Sequence, residues 1–68
     1  MKKHSVRIAG HPTSVTLEDE FWDALKLIAD RRNVSLNTMI GEVDERREGK
    51  NLSSALRIFV LKNISTHS

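Results

Sequence analysis

The stretch Thr13-Ser14-Val15-Thr16-Leu17-Glu18-Asp19-Glu20-Phe21-Trp22 decides how this chain folds. Its first half alternates, with Val15 and Leu17 on one face and the polar residues on the other, the period of two expected of a half-buried strand. It is rich in β-branched residues, which favour the pleated surface. At Glu18 the pattern changes. Phe21, Leu25 and Ile28 recur at spacings of four and three, Ala24 and Ala29 widen the stripe, and Trp22 borders it, as in an amphipathic helix. Thr16 followed by Asp19 has the spacing of a capping pattern, and Glu18, Asp19 and Glu20 lie where the helix dipole favours negative charge. The strand is placed at about 13–17 and the first helix at about 18–32, with Arg31 and Arg32 in its last turn and Asn33 closing it.

Outward from this stretch, Ser5 to Ala9 alternate as well, with Val6 and Ile8 on one side and Ser5, Arg7 and Ala9 on the other. Gly10-His11-Pro12 breaks the chain between the two runs, since glycine tolerates unusual dihedrals and proline lacks an N–H. Downstream, Ser35 is a good N-cap for a second helix at about 35–47, whose Leu36, Met39, Ile40 and Val43 repeat at helical spacing. Glu48-Gly49-Lys50 separates it from a third helix at about 51–64, capped by Asn51 or Ser53 and apolar over much of its circumference. A helix of that kind is covered on more than one side.

Sixty-eight residues form one small domain, and a core this size is marginal by itself. With no cysteine there are no disulfides or thiolate metal sites. Three dispersed histidines have no ligand-like spacing. Association with a second subunit is the remaining way to complete the interior. No apolar run reaches the ~20 residues of a membrane span, and no apolar segment follows Lys2 and Lys3, so a cytoplasmic location is expected.

The net charge of +2 is unevenly distributed. Residues 1–17 carry Lys2, Lys3 and Arg7 without an acid, residues 18–48 carry all nine acids against five bases, and Lys50, Arg57 and Lys62 follow. A basic start suits contact with a polyanion. No nucleophile–base pair, glycine-rich phosphate loop or metal motif is present, so neither enzyme activity nor a cofactor is expected. The acids Glu18, Asp19, Glu20 and Asp23 are explained by helix-start electrostatics, and His11 by the turn beside Pro12.

A five-residue strand leaves its main-chain groups unpaired. Residues 5–9 can fold back on it as a hairpin, or it can pair antiparallel with its own copy in a second chain. The order of strand, helix, short turn and serine-capped helix favours the second. At this point the chain resembles the ribbon-helix-helix superfamily of Arc/MetJ-like proteins. Ser5-Val-Arg-Ile-Ala-Gly-His-Pro-Thr-Ser-Val-Thr-Leu-Glu-Asp-Glu-Phe-Trp22 and Asn51-Leu-Ser-Ser-Ala-Leu-Arg-Ile-Phe-Val-Leu61 are similar to a narrower group of small bacterial ribbon-helix-helix domain proteins.

The resemblance implies a mainly α fold with a short β-ribbon, an intertwined homodimer, and a ribbon that enters the major groove of double-stranded DNA. It implies a sequence-specific transcriptional regulator, a repressor by occupancy, with two dimers side by side on repeated half-sites. Ser14 and Thr16 are the base-reading candidates. Lys2, Lys3 and Arg7 are phosphate candidates as an N-terminal arm or an extra strand (residues 1–12), and Ser35, Asn37 and Thr38 as a phosphate clamp at the second helix. The shared core is expected from Val15, Leu17, Phe21, Trp22, Leu25, Ile28, Leu36, Met39, Ile40, Val43, Leu56 and Phe59. Two hydroxyls carry less base discrimination than a long amide or basic side chain, which motivates a rival reading: a protein-interaction module that keeps the dimer and has lost DNA reading. An antitoxin is a weaker variant, because only Ser65 to Ser68 follow the third helix.

Overall fold

In the computed structural model, which describes residues 1–65, two strands precede three helices: β1 (Lys2–Ile8), β2 (His11–Leu17), α1 (Asp19–Arg32), α2 (Leu36–Arg46) and α3 (Leu52–Ser65). The strands form one antiparallel hairpin in which Ile8 faces His11, Val6 faces Thr13, His4 faces Val15 and Lys2 faces Leu17. Ala9 and Gly10 make the connection, with φ of 51° and 81°. Positive φ at both central residues is the two-residue turn whose twist matches the strands.

Residues 1–12 therefore hold a full strand, not an arm, and β2 begins two residues earlier than its alternation suggested. The strand in question has its partner within the chain, on one edge. Which main-chain groups point where follows from the turn. Ile8 and His11 close it as a hydrogen-bonded pair, so Val6–Thr13, His4–Val15 and Lys2–Leu17 are hydrogen-bonded too. The N–H and C=O groups of Lys3, Ser5 and Arg7, and of Ser14 and Thr16, then point away from the ladder. Two observations agree: the Arg7 N–H donates to Asn37 Oδ1 of α2 at 3.3 Å, and Pro12 occupies an outward position where no N–H is needed.

The helix boundaries fall within one residue of expectation, but the caps divide. Glu18 is the N-cap of α1 without a side-chain hydrogen bond, so the Thr16–Asp19 pattern is not used. Leu17 is fully buried and Thr16 still belongs to the strand, which holds the Thr16 hydroxyl out of capping position. Asn33 ends α1 in the left-handed region, its N–H reaching Asp30 O at 3.1 Å. Ser35 Oγ accepts from the Thr38 N–H at 3.1 Å to open α2. Asn51, rather than Ser53, opens α3, its Oδ1 accepting from the N–H groups of Ser53 and Ser54.

The helices form a layer beneath the hairpin, with α2 against β1 and α3 against β2. Of the expected core, Val15, Leu17, Leu25, Met39, Ile40, Val43 and Leu56 are buried within one chain, and Phe21, Trp22, Ile28, Leu36 and Phe59 pack half-buried around them. Val6, Ala29, Ala55 and Val60 complete it. Trp22 has a specific neighbour: the His4 ring stacks on it at 3.9 Å between centroids and 7° between planes. Leu27, Leu61 and Ile64 stay more than half exposed. No helix among the described residues is long and apolar enough to cross a membrane.

Candidate nucleic-acid interface

Directly opposed residues of a hairpin share a face, so the register sorts the side chains. His4, Val6 and Ile8 with Thr13, Val15 and Leu17 look toward the helices. Lys3, Ser5 and Arg7 with Pro12, Ser14 and Thr16 look outward, and all six are exposed. Neither strand contains an acid. The fold thus brings Ser14 and Thr16 together with Lys3 and Arg7, as neighbouring rows about one strand spacing, ~4.8 Å, apart. Lys2 belongs by register to the inner side, opposite Leu17, and reaches solvent only at the end of the ribbon. Ser5 and Pro12 complete the outer face. Alternation in residues 5–9 announced Ser5, whereas nothing local assigned Pro12 to a face.

The second-helix candidates take distinct roles. Ser35 accepts from the Thr38 N–H and its hydroxyl lies 2.7 Å from Thr38 Oγ1, so both side chains are engaged in capping. Asn37 holds β1 through the Arg7 N–H, fixing the α2 N-terminus beside the basic strand. The first turn of α2 contains no acid, so its positive dipole end is not neutralised there.

Where the hairpin meets the helices, Arg57 Nε donates to Glu18 Oε1 at 3.0 Å and its guanidinium lies 6.0 Å from the Phe21 ring centre. The Glu18 carboxyl is held below the usual carboxylate range, first by a hydrogen bond from its own main-chain N–H and then by Arg57. This contact ties α3 to the β2–α1 junction.

A strand leading directly into a helix, a tight turn and a serine-capped second helix defines a ribbon-helix-helix scaffold, here with the strand β1 before it and the helix α3 after it. The profile described as the ribbon-helix-helix domain matches residues 1–64, and the chain belongs to that family, whose members are typically DNA-binding regulators. No match is found among curated proteins or among solved structures.

Proposed function

We propose that this protein is a homodimeric DNA-binding transcriptional regulator that acts by occupying its site, with the outer face of the hairpin as the contact surface. The observation that carries this reading is the convergence of Lys3, Arg7, Ser14 and Thr16 on one exposed, acid-free face. Lysine and arginine there displace condensed counterions from phosphates, and the hydroxyls lie between them.

The open edge of β2 supports the dimer. Ser14 and Thr16 present unsatisfied main-chain groups to solvent, and a second β2 running antiparallel satisfies them. A register centred on Val15 sets Ser14 of each chain opposite Thr16 of the other and makes four hydrogen bonds, leaving the N–H-less Pro12 outside the ladder. The unpaired strand and the hairpin strand are thus two edges of one β2, and the alternatives left open by the sequence are compatible.

Such a sheet has the order β1-β2-β2-β1, with its outermost strand axes about 14 Å apart. The major groove is about 12 Å wide and takes a two-stranded ribbon. Four strands rest across its rims instead, with the Lys3 and Arg7 rows above the two phosphate chains and the shorter Ser14 and Thr16 side chains over the bases. Backbone contact then dominates, and base selectivity is modest.

The test is a fluorescence titration of labelled duplexes of different sequence at several salt concentrations. Binding to all of them is expected, weakening steeply with salt. Arg7→Ala removes two phosphate contacts per dimer and lowers the slope of log K against log salt by about 1.8. Absence of binding to any duplex at low salt, or binding indifferent to salt, refutes the proposal and leaves the protein-interaction reading, which Leu61 and Ile64 at 55% and 59% exposure favour.

A further inference from the structure

α2 and α3 enclose a shallow groove of about 250 Å³ on the helical side of the molecule. Val43, Ile58 and Phe59 contribute an apolar floor. Among the described residues, Arg32, Arg46, Arg47, Lys50 and Lys62 stand around it against a single acid, Glu42. Arg47 and Arg32 have partners within the chain. Arg47 binds Asp44 at 2.6 Å and the Lys50 carbonyl at 2.8 Å, and Arg32 donates to Asn63 while lying 5.1 Å over the Phe59 ring. Arg46 and Lys50 are exposed and make no ion pair among the described residues.

A groove of this kind fits an anionic surface that carries an apolar knob. Phosphate alone leaves the floor wet, and Ile58 is 39% exposed there. The chain carries the complementary surface on α1. Leu27, 57% exposed, is the only apolar residue among the exposed positions of that helix. Asp23 lies four residues before it and Asp30 three after, so both flank it on the same helical face. Glu20 stands one turn further along, and Asp19 beside it. Lys26, 3.6 Å from Asp23, and Arg31 offset part of this charge, and the face remains acidic.

We infer that the outer face of α1 in one copy of this chain docks into the α2–α3 groove of another. Leu27 sits on Ile58 and Phe59, and Asp23 and Asp30 meet Arg46 and Lys50. Knob and groove are different patches, so the contact is heterologous and joins copies in a head-to-tail row rather than closing a pair. The inference is independent of the DNA reading.

Sedimentation velocity of the full chain tests it, at about 20 mM and about 0.5 M salt, where surface charges are weakly and strongly screened. The wild type is expected to form concentration-dependent larger species at low salt and to lose them at high salt. Asp23→Lys/Asp30→Lys and Arg46→Glu/Lys50→Glu each change only exposed positions, and each alone is expected to stop at the high-salt species. An equimolar mixture restores association, because each variant supplies the charge the other has reversed. Identical sedimentation of the wild type at both salts overturns the inference, as does growth by either variant alone or a mixture that stays apart while both variants retain native circular dichroism. Loss of duplex binding in Arg46→Glu/Lys50→Glu, with no protein association in the wild type, overturns it in favour of a phosphate backbone in the groove.

Discussion

Replacing Ala9 by asparagine should stabilise the protein, because the hairpin turns on a residue poorly suited to it. Ala9 sits at φ 51° and Gly10 at φ 81°. A Cβ in the left-handed region costs about 1–2 kcal/mol, a penalty glycine escapes and asparagine largely avoids by bonding locally. Relief of about half that cost gives Ala9→Asn a gain of about 0.5–1 kcal/mol. For a domain of this size each kcal/mol moves Tm by about 4–8 °C, so a rise of about 2–8 °C is expected. The reciprocal variant isolates the backbone contribution. A Cβ at Gly10 meets nothing within 4 Å, so Gly10→Ala loses stability through conformation alone, by about 1–2 kcal/mol. Thermal unfolding followed by circular dichroism, with all variants at one protein concentration, reads both effects. If Ala9→Asn leaves Tm unchanged and Gly10→Ala is neutral, the chain does not turn there, and β1 is not held on β2 as described.

Other consequences follow from the interior. Leu56 is fully buried between the hairpin and α1 and α2, and Leu56→Ala should cost about 2–5 kcal/mol. Against a total of about 3–10 kcal/mol for a chain this long, at about 0.05–0.15 kcal/mol per residue, this removes a large share of the stability, which a urea titration will show as a lower midpoint; a shift too small to resolve would contradict the packing. The His4 Nε2 is buried without a hydrogen-bond partner among the described residues while its ring stacks on Trp22. His4→Phe keeps the stack and removes the orphaned atom, so stability should rise by about 1 kcal/mol, and a lower Tm would count against that reading. The lowered Glu18 pKa means that the folded state binds this proton less readily than the unfolded chain. Its contribution to stability is therefore complete above the ordinary carboxylate range near 4.3 and is lost as pH falls through the lowered folded value. Arg57→Gln should flatten the acid limb of the stability profile, and superimposable acid-unfolding curves would rule the contact out as a contributor.

Periodicity made the helices legible. Apolar spacing, the Ser35 cap, the left-handed Asn33 and the break at Glu48-Gly49-Lys50 are local signals, and local hydrogen bonding and burial realised them within a residue. The hairpin was only half legible. Alternation in Ser5–Ala9 is compatible with a strand but leaves an arm equally open, because Ala-Gly is a weak turn signal beside Asn-Gly and Pro12 marks the wrong side of the break. Lys2 and Lys3 entered the strand because Lys2 exchanges main-chain hydrogen bonds with Leu17, closing the last rung of the ladder beyond Lys3, a long-range reward that short windows do not register. The gathering of Lys3, Arg7, Ser14 and Thr16 could be read only once the register was known. For the same reason the groove cations, drawn from α1, α2, the following loop and α3, had no linear signature.

Pro12 sets a limit on how far the sheet can extend. On the outer side of β1, Asn37 has already taken the Arg7 N–H, and on the outer side of β2 only Ser14 and Thr16 can donate. Once a second chain has satisfied those two, the outward donors left are the Lys3 and Ser5 N–H groups of β1, on an edge that also carries the charges of Lys3 and Arg7. Lateral accretion of the kind that seeds fibrils is discouraged here by one imino acid, one amide side chain and the like charges along β1.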